Sequence, residues 1–234
     1  MISIDTVHQR VLALANKEQR GYITPQEFNL YANQAQMDIF EEYFYDIDLH
    51  DRKPSNSTEY SNTVELIDEK LSLFKEKVAA QPMSAPGRFK VPADIYRLGS
   101  VLYNEKYIID EVQDSELIYF QSSPLTVAKK TRPIYTKFKN AAGVNAIQVY
   151  PTSINNLVTL NVIKQPKKVT WGYVVVNGNA LYNAGTSENF ELHPSEQSKL
   201  VYKILGFAGI NIKDQSLYQI ASAEEQKDIN QQKS

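Results

Sequence analysis

The spacing of apolar residues changes at about residue 80, and this change limits the possible folds more than any other feature of the sequence. Before it, apolar side chains recur every three or four positions, as in Ile4, Val7 and Val11, which predicts amphipathic helices. After it, short β-like runs recur about every 8–12 residues, as in a sandwich or barrel. The pattern therefore predicts an α+β protein with an N-terminal helical region, a central antiparallel β-sandwich-like region, and a C-terminal helix with a polar tail.

Capping signals divide the first region into three helices. Ser3 can cap the first helix, and Thr24-Pro25-Gln26-Glu27 is a capping box with proline at the first helical position of the second. The predicted helices run from Ser3 to Gly21, over residues 25–45 and over residues 64–78, with an exposed polar connection at 46–63.

The β-rich region begins after a linker predicted at residues 81–87. The predicted strands are 96–103, 106–112, 133–138, 146–150, 157–163, 169–176 and 180–182. Alternation places Val158, Leu160 and Val162 on one face, and it places Val169, Trp171, Tyr173 and Val175 on one face of the next strand. Asn177-Gly178 predicts a hairpin turn.

The C-terminal part returns to a helical pattern, which begins at His193-Pro194-Ser195-Glu196 and ends at Gly209. A shorter helix is predicted over residues 215–221, and the tail that follows is either disordered or ordered only by a partner. The predicted segments are a helical region at 1–80, a β-rich region at 81–192, C-terminal helices at 193–222, and a polar tail at 223–234.

Composition excludes several classes of chemistry. The 234 residues include no cysteine, so disulfides, thiolate catalysis and Cys-ligated metals are excluded. The net charge of −2 provides no overall basic field for nucleic acid. No apolar run approaches the ~20 residues that span a bilayer, and we expect no secretory signal. The 15 tyrosines suit either protein–protein contacts or half-buried strands.

Residues Asn16–Glu27 resemble the second half of an EF-hand loop, with Gly21 at the sixth position and Glu27 at the twelfth. Arg20 occupies a position where calcium binding requires an oxygen donor. A helix that ends at glycine, followed by a capped helix, explains the same residues without a metal, and we prefer that interpretation.

The remaining candidates are weaker. Residues 46–51 combine three carboxylates with a histidine, but we interpret them as a solvated loop. His8 and His193 have no triad partner at a recognisable spacing, and His193 is predicted to cap or pack. The carboxylates of Glu41-Glu42 and Glu224-Glu225 point about 100° apart on helices. We therefore assign no catalytic, cofactor-binding or metal-binding residue.

The densest basic and aromatic stretch covers residues 129–139. It contains five basic residues and two tyrosine or phenylalanine residues, namely Lys129, Lys130, Arg132, Lys137 and Lys139 with Tyr135 and Phe138. Such residues can neutralise phosphates and stack on bases. An exposed strand with extended lysines explains them equally well, and for so short a stretch we prefer it.

Several motifs, in this order, resemble structural proteins of short-tailed, crAss-like phages and their marine relatives. The resemblance covers nearly the whole chain, and its motifs are structural rather than catalytic. They are Gly21–Asn29 with Ala35–Phe40, Pro92–Leu98, Arg132–Tyr135 before Val149–Pro151, and Phe190–Glu196.

The resemblance implies a ring-forming, non-enzymatic protein of the virion neck, made in the host cytoplasm. It would stack below the portal protein, contact neighbouring connector or tail proteins, and surround DNA without sequence-specific binding. A homo-oligomeric dodecamer is the implied assembly, with no cofactor and no membrane. Two alternatives come from other classes: a virion-associated cell-wall hydrolase with a carboxylate pair in a cleft, and a calcium-responsive binding module built on Asn16–Glu27.

Overall fold

The computed structural model describes residues 1–17, 23–51, 58–140, 142–211 and 223. The chain forms two compact units. The first, called the helical unit here, contains Met1–Leu73 and Pro166–Ser234, and the second, the sheet unit, contains Phe74–Gln165. Helices and strands are both abundant, which confirms the predicted α+β class. The units divide near residues 73 and 165, whereas the sequence patterns suggested segments that divide at 80 and 192.

The elements follow the chain in this order. The helices are α1 (Ile4–Lys17), α2 (Pro25–Asp51), α3 (Thr58–Ser72), α4 (Leu117–Ser122) and α5 (Gln197–Asn211). The strands are β1 (Lys75–Ala79), β2 (Gln81–Pro82), β3 (Arg88–Lys90), β4 (Ile95–Tyr103), β5 (Tyr107–Glu111), β6 (Ile134–Lys139), β7 (Asn145–Tyr150), β8 (Val158–Lys164), β9 (Tyr173–Val176) and β10 (Asn179–Tyr182).

In the helical unit, α2 packs against α3 and α5, and α1 packs against α5. One face of α5 is apolar and buried along its length, from Leu200 to Ala208. The capping box at the start of α2 is confirmed. The Glu27 carboxylate accepts hydrogen bonds from the Thr24 backbone N–H at 3.0 Å and its hydroxyl at 2.8 Å. The Glu27 N–H in turn donates to the Thr24 hydroxyl at 3.3 Å.

Three side-chain amides on α2 hold an extended segment, residues 167–171, along the helix. Asn33 accepts a hydrogen bond from the Val169 N–H at 3.0 Å and donates one to the Val169 carbonyl at 2.8 Å. Asn29 does the same for Trp171, at 2.7 Å and 3.3 Å. We call Asn29, Asn33 and Gln36 the amide ladder, because they pair with this segment as a neighbouring strand would.

Gln36 completes the amide ladder and is almost fully buried. Its amide donates to the Lys167 carbonyl at 2.7 Å and accepts from the Glu191 N–H at 3.2 Å. The geometry matches because four helical residues rise about 6 Å, close to the ~6.6 Å between alternate residues of an extended chain. Side chains three or four positions apart on a helix can therefore meet every second residue of a strand.

The sheet unit is one sheet that closes on itself. Its strand order is β1-β8-β4-β5-β6-β7-β3-β2, antiparallel except for the parallel pair β5–β6. The two terminal strands of this order are joined by Ala80 alone, so they form one continuous segment. The Ala80 N–H donates to the Val158 carbonyl at 2.8 Å. Of the sandwich and barrel that the strand spacing allowed, this order describes a barrel.

The barrel encloses a single apolar core. Val158, Leu160 and Val162 are all buried, as their alternation predicted. They belong to a cluster with residues from the other long strands, including Phe89, Val101 and Ile147. Partly buried Val78 and Ala80 pack on the same cluster, which explains why their segment forms strands.

Several predicted boundaries are wrong. Helix α2 continues to Asp51 rather than residue 45, because no glycine or proline occurs between Pro25 and Pro54. Helix α3 begins at Thr58 and ends at Ser72, so the predicted connection at 46–63 is largely helical. Residues 75–78 belong to a strand instead of the third helix, since pairing with β8 overrides a helical pattern.

The predicted linker at 81–87 lies inside the sheet unit, where Gln81–Pro82 pairs with β3. Strand β3 and helix α4 were not predicted. Helix α5 continues to Asn211, two residues beyond Gly209. Gly21, the helix at 215–221 and the tail at 224–234 lie outside the described residues. No helix in the described ranges has the length and hydropathy of a membrane span.

We predict that Asn33→Leu lowers the free energy of unfolding by about 2–4 kcal/mol. The substitution removes two hydrogen bonds and leaves the Val169 N–H and carbonyl without their partners. Urea denaturation of parent and variant measures the change. Gln34→Leu is the matched control, because Gln34 is exposed on the same helix and should change stability by less than about 0.5 kcal/mol. Equal effects for both would contradict the amide ladder.

Candidate functional site

The hairpin of β9 and β10 exposes an unusual amount of apolar surface. Asn177 and Gly178 form its turn, as predicted, and their φ angles of 50° and 82° are both positive, as a type I′ turn requires. Val174, Val175 and Leu181 are 50%, 61% and 53% exposed. The sequence predicts a strand over residues 169–176, with Val169, Trp171, Tyr173 and Val175 on one face. The strand begins at Tyr173 instead, because side chains of α2 pair with the backbone of Val169 and Trp171. Val169 and Trp171 are buried, whereas Val175 is exposed.

Trp171 anchors the base of the hairpin. Its backbone is held by the amide ladder, and its indole N–H donates to the Asp5 carboxylate at 3.1 Å. The indole ring stacks on Tyr173 with ring centroids 5.8 Å apart, and Tyr182 lies 6.0 Å from it. The first residues of β9 and the last of β10 are therefore fixed, while the turn projects beyond them.

His8 lies on the other side of this aromatic cluster. Its imidazole stacks on Trp171 at a centroid distance of 3.9 Å and meets the edge of Phe28 at 4.7 Å. Burial lowers the pKa of His8, and the negative charge of Asp5 opposes this effect without cancelling it. The neutral imidazole is thus the form that suits the packed cluster.

A buried ion pair connects α3 to the turn before α5. The carboxylate of Glu196 is only 2% exposed and lies 2.6 Å from the Lys70 ammonium. The Lys70 ammonium is also 5.8 Å from the centre of the Tyr43 ring. Burial, followed by the charge of Glu196, raises the pKa of the Tyr43 hydroxyl.

A second pair connects α2 to α5. Glu42 lies 2.8 Å from the ammonium of Lys199, which is itself buried, and 3.8 Å from Lys203. Both carboxylates, Glu42 and Glu196, thus face lysines from other elements. These ion pairs connect α2 and α3 to α5 and the turn before it. The charges of the two carboxylates are therefore paired within the helical unit.

The basic stretch at 129–139 lies in the sheet unit. Lys137 pairs with Glu111 at 2.7 Å, and the Tyr135 hydroxyl donates to the same carboxylate at 3.0 Å. The Arg88 guanidinium lies 5.1 Å above the ring of Phe138. The sequence did not predict this last contact, because it requires β3 and β6 to flank β7.

A groove of about 380 Å³ runs beside this stretch. Lys137, Phe138 and Lys139 line it with Tyr96 and with apolar residues of β4 and β7. The structure therefore gathers part of the predicted basic and aromatic set. It does not place Lys129, Lys130 or Arg132 in the groove lining.

Residues 18–22 of the calcium-binding candidate Asn16–Glu27 lie outside the described ranges, so only the two ends of this segment can be compared with a calcium site. The Glu27 carboxylate is occupied by the capping box, and the hydrogen bond from the Thr24 backbone lowers its pKa. The backbone of residues 46–51 is helical. Within the ranges where side chains are described, no group of three His, Asp or Glu residues could hold a metal ion.

The remaining candidates are His193 and the pair Glu41-Glu42, and His193 and Glu42 make contacts within the fold. His193 caps the turn before α5, accepting a hydrogen bond from the Ser195 N–H at 3.3 Å, which confirms its predicted role as a cap. Glu41 is exposed whereas Glu42 is paired with α5, in agreement with carboxylates that point apart. Glu224-Glu225 lie outside the described residues.

Comparison with protein-family models and with curated proteins finds no match for this chain.

We predict that Glu196→Ala lowers the free energy of unfolding by about 3–5 kcal/mol, because it leaves the Lys70 ammonium without its buried partner. The double variant Lys70→Met with Glu196→Leu should recover most of the loss, since it removes both charges and keeps the volume. Thermal and urea unfolding measure both. A double variant as unstable as Glu196→Ala would contradict this account of the pair.

We predict that His8 makes the folded state less stable as the pH falls. The pKa of His8 is lower in the folded chain than its usual value of 6.5, so the unfolded chain binds more protons in the interval between them. Its stabilising effect is complete above about pH 6.5 and is lost as the pH falls towards the folded pKa. His8→Phe keeps an aromatic ring and should flatten this part of the stability–pH curve. Parallel curves for parent and variant would contradict the prediction.

Proposed function

We propose that this chain is a structural subunit of a phage virion, forming a ring in the head-to-tail connector below the portal and around the DNA channel. The observation that carries the proposal is the number of large apolar side chains that the described residues expose. Beyond the hairpin, several side chains are more than half exposed. They are Leu30, Tyr45, Leu66, Leu73, Ile108, Ile118, Tyr119, Leu125 and Leu157. Large apolar side chains of this kind are the ones that contacts with other proteins bury.

The charge distribution supports contacts between unlike surfaces. Residues 74–165 contain 12 Lys and Arg against 7 Asp and Glu, a net charge of +5. The rest of the chain contains 13 and 20, a net charge of −7. A cyclic ring requires each copy to present one patch to its left neighbour and a different patch to its right. Opposite charges on the two units suit such a contact between the sheet unit of one copy and the helical unit of the next.

The resemblance described above supports the assembly that we propose. It implies a dodecamer that contacts the portal protein and neighbouring connector or tail proteins, with DNA passing through the channel without sequence-specific binding. The amide ladder and the buried ion pairs support a rigid helical unit, which loses little conformational entropy when copies assemble. The polar residues at 223–234 are proposed to dock on the portal.

Antibody labelling of purified virions tests this proposal. We expect gold particles at the neck, and we expect the chain without residues 223–234 to bind the portal more weakly than the full chain. Unchanged portal binding would reject the role of the tail. Label elsewhere on the particle, or peptidoglycan release by the purified chain, would contradict the connector proposal.

A further inference from the structure

The hairpin of β9 and β10 is a sheet of two strands, and each strand has the other as its strand partner. Each strand therefore has a second edge that no further strand of the described chain covers. A two-stranded hairpin is marginally stable in water unless a further strand or a packed layer covers it. Trp171 supports the base of the hairpin, whereas Val174, Val175 and Val176 nearer the turn are 50%, 61% and 46% exposed.

The composition of the hairpin permits strand addition. No charged residue occurs between Lys168 and Glu188, a stretch that includes both strands. Natural proteins protect open strand edges with charged side chains, above all lysine. The contrast lies in β1 of the barrel, where Lys75, Glu76 and Lys77 are consecutive and exposed. Strand β1 thus carries charged side chains that discourage pairing with a further strand, and the hairpin carries none.

Both faces of the hairpin are apolar as well. The register pairs Val174 with Leu181 and Val175 with Ala180, so the two valines point to opposite faces. Val174 and Leu181 on one face and Val175 on the other are each at least half exposed. A strand added at either edge would place its side chains beside Val174 and Leu181 on one face and beside Val175 on the other.

The direction of the strands and the two open edges favour a second copy of the chain as the occupant. β9 and β10 are antiparallel, so the free edge of β10 faces the correct way to pair with the β9 edge of an identical hairpin beside it. This pairing joins two unlike edges, leaves one new edge at each end, and repeats without limit unless rotation closes it. A single peptide would cover one edge and leave the other bare. The opposite charges of the two units favour the same head-to-tail order of copies.

We infer that neighbouring copies of this chain join through their hairpins, the β10 edge of one copy pairing with the β9 edge of the next. The hairpins then form one continuous antiparallel sheet around the ring. This inference rests on the proposed function for the closure of the ring. It adds the surface by which the copies recognise each other.

Single cysteines test the pairing directly, because the chain has no cysteine of its own. Val174→Cys and Val176→Cys place a thiol on β9, and Asn179→Cys and Leu181→Cys place one on the same face of β10. Cross-strand neighbours approach closely enough for a disulfide to form. We expect mixtures of a β9 variant with a β10 variant to give covalent dimers under mild oxidation, and each variant alone to give few.

The outcomes separate the alternatives. Cross-linking of the β9 variants alone would show two-fold pairing of like edges and would overturn the head-to-tail inference. Failure of every mixture to cross-link more than Leu66→Cys, an exposed site on α3, would overturn it too. Val175→Lys should reduce cross-linking in the mixtures at least tenfold, and Leu66→Lys, the matched charge change, should leave it unchanged.

The same variants distinguish failure of this inference from failure of the proposed function. If Val175→Lys still enters virions and labels their necks as the parent chain does, the connector proposal stands and the hairpin inference is wrong. If the hairpins cross-link as expected while antibodies find no label on virions, the hairpin inference stands and the connector proposal is wrong.

Discussion

Hydrogen bonds between the side-chain amides of α2 and an extended backbone hold the helical unit together. Asn29, Asn33 and Gln36 satisfy backbone groups of residues 167–171 that have no strand beside them. A buried backbone group without a partner is costly, so this segment could not cross the helix without the amides. Their loss would release Trp171, and with it the support of the hairpin, the His8 stack and the bond to Asp5.

The two units use different solutions to the same problem of strand edges. In the sheet unit, one segment with Ala80 at its centre supplies both ends of the strand order and closes the sheet. In the helical unit, side-chain amides substitute for a missing strand, and only β9 and β10 extend beyond them. The exposed apolar side chains of the hairpin, Val174, Val175 and Leu181, therefore lie just past the point where the amide ladder ends.

Local signals in the sequence predicted much of the fold. The capping box at Thr24, the turn at Asn177-Gly178 and the alternation around Leu160 are each confirmed, because each depends on residues close together in the chain. Closure of the sheet was not predictable, since Lys75 and Val78 look helical until they pair with β8. The strand predicted from residue 169 begins at Tyr173, because Val169 and Trp171 pair with side chains of α2 more than a hundred residues away.

The candidate site was predicted less well than the fold. Asn29, Asn33 and Gln36 share one face of α2 at helical spacing, a signal that could have been recognised, but polar residues on a helix usually face solvent. The ion pairs of Glu42 and Glu196 could not be found, because their lysines come from other elements. The assignment of His193 as a cap succeeded because a cap is local.

Rotational averaging of electron micrographs of the purified chain tests the central claim most directly, namely that identical copies associate head to tail. The account predicts closed rings with a central opening, built from copies in one orientation, that dissociate as salt screens the opposite charges of the two units. Monomers at every concentration, or two-fold dimers without an opening, would contradict it.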